Sequence, residues 1–268
     1  MATYDEPIEI AVDEGSIAGT FITPRTLVPG IVFVHGWGGS QEQYVARARK
    51  IAALGCVCLT FDLRGHAETR PQFETVSRAL NLRDVLAAYD LLAQRGHVDP
   101  GSIAVVGSSY GGYLAAILTT MRPVKWLALR APALYKDAGW DSPKLQLHKE
   151  QDLIAYRSHL VPATDNRALQ ACHDFKGDVL LIESERDKVV PKAVLQSYRE
   201  ACKEARSLTY RTIEDADHGL TRESDHRAYT SMLVNWLKEM VFHARTGAVV
   251  PPSGDRTVQG EVAVSEDQ

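Results

Sequence analysis

Apolar residues along this chain fall into short unbroken runs set between stretches where they recur every three or four positions. Ile31 to Val34 and Val179 to Ile182 are four-residue apolar runs, too short for a bilayer span and suited to strands buried on both faces. Val57 to Phe61, Ile103 to Val106, Val124 to Leu129 and Leu208 to Ile213 read as further strands. Between them the spacing becomes helical. Tyr44, Ala48, Ile51 and Ala52 share one side of a helix over 43–54 that Gly55 ends, and Leu82, Val85, Leu86, Tyr89 and Leu92 share one side of a helix that Gly96 stops. Helices are also predicted over 110–121, from Pro191 to about Ala205, and over 225–243. Ahead of all these, residues 8–12 and 17–22 flank the turn formers Asp13 to Gly15 as a hairpin. Strands regularly separated by helices predict an α/β protein with a mostly parallel sheet covered on both faces.

Two regions break the rhythm. Residues 132–176 hold no buried strand but two short helical patterns, near Lys149 to His159 and Asn166 to Asp174, so they are read as an excursion over one end of the sheet. From residue 247 onward turn formers replace helical periodicity, which predicts a loose or accessory tail. The organisation is therefore a core of 1–131 and 177–246, an insertion at 132–176 and a tail at 247–268.

With 45% hydrophobic and 24% charged residues in 268, the chain has the apolar content for a sizeable core and is not a disordered tail. Thirty basic against 34 acidic side chains give a net charge of -4 without long single-sign runs, which disfavours nucleic acid or an anionic membrane as partner. The first ten residues carry no basic and apolar leader pattern. The four cysteines make a weak disulfide framework for so long a chain, and Cys56 and Cys58 share one strand face; they read as reduced thiols of a cytoplasmic protein.

The strongest local signal for chemistry is Gly107-Ser108-Ser109-Tyr110-Gly111, a G-x-S-x-G placed between a strand and a helix. At this chain's glycine and serine content, roughly 0.07 such matches arise by chance, before the strand and helix are required. The glycines permit a tight turn that lifts the Ser109 hydroxyl clear of the sheet. A serine hydroxyl is a poor nucleophile at neutral pH and needs a base, which in turn needs an orienting carboxylate. His218 follows the last strand and is the candidate base among nine histidines; His226 and His243 fall on the final helix, and His148, His159 and His173 in the excursion. Asp187 follows the strand at Val179 to Ile182 and is the candidate acid, with Glu185 as its rival; Asp217 reads as a loop hydrogen-bond acceptor. The loop His35-Gly-Trp-Gly-Gly-Ser40 also follows a buried strand, and it lacks the Lys-Ser/Thr ending of a phosphate-binding loop. The backbone N–H groups of Trp37 and Tyr110 are the candidate pair for an oxyanion hole.

The order Ser109, Asp187, His218, together with HGWGGS, DLRGHAET, GSSYGGY, SERDKVVP and DADHGL, resembles the α/β-hydrolase superfamily over residues 8 to 243. The elbow sequence looks like that of acyl-peptidases and prolyl oligopeptidase relatives as well as small esterases. The resemblance implies an eight-stranded, mostly parallel sheet with helices on both faces. It also implies Ser109 as nucleophile, His218 as base, Asp187 as acid and residues 132–176 as a small helical cap inserted after the sixth strand. Dehalogenases and epoxide hydrolases of the superfamily carry aspartate at the elbow and dienelactone hydrolases cysteine, so Ser109 points away from those chemistries. The chain as given starts directly with the sheet, without the propeller domain of the large-peptide peptidases.

The expectation is a serine hydrolase that cleaves a small-molecule carboxylic ester through an acyl-enzyme, with no metal or organic cofactor. An amidase or aminopeptidase on the same fold and a non-catalytic ligand-binding protein are the competing readings. The insertion carries six acidic and six basic residues, which gives no charge preference for the substrate. Trp37, Tyr110, Trp140, Leu145 and Tyr156 are candidates for an apolar pocket, with ordinary packing as the competing role for Trp140 and Tyr156. His66 is assigned a structural role in its loop.

Overall fold

The computed structural model describes residues 3–13, 15–24, 28–150 and 152–247. Of the tail expected at 247–268, Gly247 ends the last helix and the rest lies outside the described residues. In chain order the elements are β1 (Thr3–Val12), β2 (Gly15–Pro24), β3 (Val28–Val34), α1 (Glu42–Ala52), β4 (Val57–Phe61), α2 (Arg78–Ala93), β5 (Val98–Ser108) and α3 (Tyr110–Leu118). They continue with β6 (Trp126–Arg130), α4 (Lys144–Glu150), α5 (Leu153–Arg157), α6 (Arg167–Asp174), β7 (Asp178–Ser184), α7 (Lys192–Ala201), β8 (Ser207–Ile213) and α8 (Glu223–Gly247). The strands form one eight-stranded sheet in the order β1-β2-β4-β3-β5-β6-β7-β8. β1 with β2 and β2 with β4 are antiparallel, and every pairing from β4 onward is parallel.

The short apolar runs make central strands because both faces of the sheet are covered. Val32 and Val34 of β3, Ile103 and Val105 of β5, and Val179 and Leu181 of β7 face one core, with residues of α2, α3, α6 and α7. The alternate residues Ile31, Phe33, Ala104, Val106, Leu180 and Ile182 face the other, with α1 and α8. A side chain pointing either way from these strands therefore meets a helix rather than water, which removes the apolar-polar alternation of a half-exposed sheet.

Several elements differ in extent from the sequence expectation. β1 and β2 are ten residues each, because an edge hairpin tolerates polar residues on its open side. β5 begins at Val98, which pairs with Val28 before a register shift at Pro29 and Gly30. The single helix expected over 149–159 is two: α4 starts at Lys144, just after Pro143, and α5 is started separately by Asp152, whose carboxylate accepts the Ala155 N–H at 2.9 Å. α6 lies inside the residues read as an excursion, yet it packs between α3 and α7 and completes the helix layer on that face of the sheet. Within the insertion, residues 131–165 depart from the layered pattern.

The loop after β4 is anchored from below by a buried ion pair. Arg64 Nε donates to Asp84 Oδ1 of α2 at 2.6 Å, and the Arg64 backbone N–H donates to the other carboxylate oxygen at 2.9 Å. Arg64 also reaches Asp13 and the Leu80 carbonyl, which ties the β1–β2 hairpin, this loop and α2 at one point. Arg64→Met leaves the Asp84 carboxylate buried without its cation. We expect a loss of about 3–5 kcal/mol of stability, read as a fall in the urea midpoint; a midpoint within error of the unsubstituted protein would contradict it.

Candidate active site

β5 ends at Ser108 and α3 begins at Tyr110, so Ser109 occupies the turn between them with φ 52° and ψ -119°. This is a left-handed conformation in a residue with a Cβ, of the kind that costs on the order of 1–3 kcal/mol and persists only where surroundings impose it. Here the close approach of backbones imposes it. A Cβ at Gly107 would lie 2.5 Å from the Gly111 carbonyl oxygen, and one at Gly111 would overlap the Val34 carbonyl at the end of β3. The Ser109 N–H donates to the Arg130 carbonyl at 2.9 Å, and the Ser109 carbonyl accepts from Ala133 N–H at 2.9 Å. Turn, strand ends and helix start are thus held on all sides with the hydroxyl left over the sheet edge.

The structure brings the three expected side chains together. His218, in the loop after β8, places Nε2 2.9 Å from Ser109 Oγ and Nδ1 2.7 Å from Asp187 Oδ2. Asp187 uses its other oxygen to accept the N–H groups of Val189 and Val190, both at 2.8 Å. Burial works against its charge, but the His218 hydrogen bond and these amides together hold the carboxyl below its ordinary value. Glu185 is exposed and accepts the Asp215 N–H, so it braces the neighbouring loop rather than His218. Asp217 turns to the N–H and hydroxyl of Thr221, a loop acceptor as expected.

A residue that the sequence reading did not single out fixes the His218 loop. Arg130, buried at the end of β6, donates to the His218 carbonyl at 2.9 Å and reaches Ser184 Oγ at 3.3 Å and Ser108 Oγ at 3.4 Å. One guanidinium therefore spans the ends of β5, β6 and β7 and the base-bearing loop. A basic residue closing an apolar strand run was the available signal.

The glycine loop after β3 abuts the hydroxyl: a Cβ at Gly36 would lie 3.3 Å from Ser109 Cβ. The Tyr110 N–H belongs to the first residue of α3 and has no intrahelical partner. The Trp37 N–H has none among the described residues. Two buried histidines shape this loop. His35 Nε2 accepts the Leu63 N–H at 3.0 Å, which leaves the proton on Nδ1 for the Gly36 carbonyl at 2.8 Å. His66 Nε2 accepts the Gly38 N–H at 3.0 Å, with Nδ1 turned to the Leu63 and Arg64 carbonyls. Both rings serve as neutral acceptors. His66 thus has the structural role expected of it, and His35 shares it.

The pocket candidates fare unequally. The Trp37 ring packs edge-on against Tyr110 and His66 and lies 4.6 Å from Phe73, beside the site. Tyr110 is fully buried and its hydroxyl donates to Asn81, so its side chain belongs to the core beneath the turn. Trp140 lies between the guanidinium groups of Arg78 and Arg167, at 5.2 and 4.1 Å from its ring centre. The Tyr156 hydroxyl accepts from Asn166, and its ring meets His159. These are packing contacts, and both side chains remain half-buried. Leu145 is half-buried on α4.

Burial pulls the His35 pKa from 6.5 down to about 3. The unfolded chain protonates this ring near its ordinary value, so unfolding takes up a proton between those two pH values and stability falls as pH drops through that window. The slope from this group is about 1.4 kcal/mol per unit at most. We expect the urea midpoint to fall between pH 6.5 and 5, and to fall less in His35→Gln; equal falls in the two proteins would contradict the assignment.

The fold is shared with known hydrolases. The chain superposes on dienelactone hydrolase from Anabaena variabilis with TM-score 0.64 and 18% identity, over 88% of this chain and 98% of that one. It superposes on the acylaminoacyl peptidase of Pyrococcus horikoshii with TM-score 0.67 and 17% identity, over 90% of this chain and 42% of that one. A carboxyl esterase from Tuber melanosporum gives TM-score 0.65 and 16% identity, over 89% and 88% of the two chains. No curated protein matches the sequence significantly. The sequence model of the prolyl oligopeptidase family matches residues 41–243. The chain is a member of the prolyl oligopeptidase family, a hydrolase family of the α/β-hydrolase superfamily.

Proposed function

We propose that this protein is a serine hydrolase that cleaves a small-molecule carboxylic ester by acyl transfer. The observation that carries this reading is the unbroken chain Ser109 Oγ, His218 Nε2 and Nδ1, Asp187 Oδ2, with contacts of 2.9 and 2.7 Å. His218 removes the Ser109 proton as the hydroxyl attacks the ester carbonyl. The tetrahedral oxyanion forms against the N–H groups of Trp37 and Tyr110. Such donors are worth about 2.7–4 kcal/mol each when preorganised. The imidazolium, stabilised by Asp187, then protonates the departing alcohol, and water activated by the same ring releases the acid. Chemistry of this kind calls on no metal or organic cofactor. Residues 131–165, the part of the insertion outside the helix layers, act as the cap that shapes the substrate space. The four cysteines are all buried and unbridged, which accords with a reducing cytoplasm.

Cleavage of an amide is the second reading, favoured by the family match. An aminopeptidase would have to hold a substrate ammonium group. Arg78, Lys144 and Arg157 gather around the Tyr135 ring behind this site, a placement that disfavours a substrate cation and favours a neutral or anionic substrate. That supports the ester reading over an aminopeptidase.

Ser109→Ala is expected to lower kcat on a short-chain p-nitrophenyl ester by roughly a million-fold, and Asp187→Asn by about ten-thousand-fold. A fluorophosphonate probe should label the unsubstituted protein and not Ser109→Ala. Near-normal turnover in Ser109→Ala would reject the mechanism. Matched ester and anilide substrates decide between the two readings: faster anilide cleavage would overturn the ester assignment.

A further inference from the structure

Three buried cations meet around one ring behind the Ser109 site, and none of them pairs with an anion among the described residues. Arg78 opens α2, Lys144 opens α4 and Arg157 ends α5; they are 0%, 1% and 8% exposed. All three surround one ring. The guanidinium carbons of Arg78 and Arg157 lie 5.8 and 4.7 Å from the centre of Tyr135, and Lys144 Nζ lies 5.2 Å from it. Their hydrogen bonds to backbone go to neutral carbonyls: Arg78 donates to Lys136 and Ala138 at 2.7 and 2.6 Å, and Arg157 Nε to Leu134 at 2.6 Å. Arg78 adds the Tyr113 hydroxyl at 3.2 Å. Among the described residues none of the three forms an ion pair. Asp137, in the same segment, gives both oxygens to Arg167.

Two donors are left over. Arg78 Nε and Arg157 Nη2 are buried without a hydrogen-bond partner. Buried cations are ordinarily paired, and a buried N–H without an acceptor forfeits the hydration it had in the unfolded chain. Here like charges are also gathered together, which adds repulsion. Burial, reinforced by the two guanidinium groups and opposed by Tyr135, draws the Lys144 ammonium below its ordinary pKa. Carbonyl dipoles and aromatic faces offset part of this cost, and an anion would offset the rest.

The position of the cluster says where that anion comes from. Lys144 Nζ is 4.0 Å from the ring centre of Trp37 and 4.9 Å from that of Tyr110, the two residues whose amides the proposed mechanism uses. Ala133, two residues before Tyr135, donates its N–H to the Ser109 carbonyl. The cluster therefore lies one aromatic layer behind the reaction centre. The unpartnered N–H groups of Arg78 and Arg157 are donors of the kind that bind a carboxylate oxygen.

We propose that Arg78, Lys144 and Arg157 form a subsite for a carboxylate carried on the acyl part of the substrate, so that the preferred substrates are half-esters of short dicarboxylic acids. This rests on Ser109 as the acyl-transfer nucleophile. Water then splits the half-ester into the dicarboxylate and the alcohol, with the free carboxylate unchanged. The cluster is closed over in this structure, so the Trp37 and Tyr135 side chains part to admit the anion.

The test compares mono-p-nitrophenyl succinate, glutarate and adipate with the methyl ester of each, which keeps the chain and removes the charge. For at least one length the free acid is expected to have kcat/KM about tenfold or more above its methyl ester, carried by KM. In Arg157→Met and Arg78→Met that ratio should fall to about one. A ratio of one or less at all three lengths in the unsubstituted protein, or a ratio that survives both substitutions, overturns the proposal. Calorimetry separates it from the reading it rests on. Ser109→Ala should bind the matching free dicarboxylate saturably, and Ser109→Ala combined with Arg157→Met should not. Binding in neither, or equally in both, overturns the subsite whatever the fate of the nucleophile assignment. If Arg78→Met does not fold, Arg157→Met and the calorimetric pair decide alone.

Discussion

The contact on which the rest of the site depends is between backbones: Gly111, at the start of α3, sits against the Val34 and His35 carbonyls that end β3. No side chain fits in that space, and the approach brings the turn carrying Ser109 beside the loop carrying Gly36. The left-handed conformation of Ser109 follows from the same squeeze, because the chain must pass from β5 into α3 within one residue. Strain of this kind is sustained by what surrounds it. The Ser109 amide is fixed to β6 through Arg130, and its carbonyl to Ala133. The hydroxyl position is therefore a property of the sheet and not of the serine.

The same economy appears in the loops opposite. The Asp62 carboxylate accepts the Gln41 N–H at 2.8 Å where the glycine loop runs into α1. The loop is further shaped by two imidazoles that accept backbone N–H groups and stay uncharged, since burial lowers the pKa of each. Their ring nitrogens replace water as acceptors for Leu63 and Gly38 without adding charge. His218 differs from both: its Nδ1 faces the Asp187 carboxylate in place of a backbone carbonyl.

How much of this was legible in the sequence depended on whether a feature is local. The central strands could be read from apolar runs because burial on both faces erases alternation, and the meeting of Ser109, Asp187 and His218 could be expected because each follows a strand in a parallel sheet whose strand ends share one edge. The length of β5 was not legible: Val98 is separated from Ile103 by polar and turn-forming residues, and only the pairing with Val28 makes that stretch a strand. The assignment of α6 to the sheet layer was hidden for a similar reason. Its pattern announced a helix, but nothing local says that α3 and α7 leave a gap for it.

The cations show the limit most clearly. Six acidic and six basic residues in 132–176 sum to nothing, and a sum is all that composition offers. In the fold the charges separate. Asp137 pairs with Arg167 near the surface, while Lys144 and Arg157 turn inward to meet Arg78, which comes from an element more than sixty residues earlier in the chain. Segregation of this sort requires the segment to be wrapped before its charges acquire meaning. It also bears on why the segment holds its shape with so little regular structure. The carbonyls of Leu134, Lys136 and Ala138, which a loop would ordinarily leave to water, are bound by the two arginines. The cluster thus serves the fold through its bonded N–H groups, while the unbonded ones have no structural task.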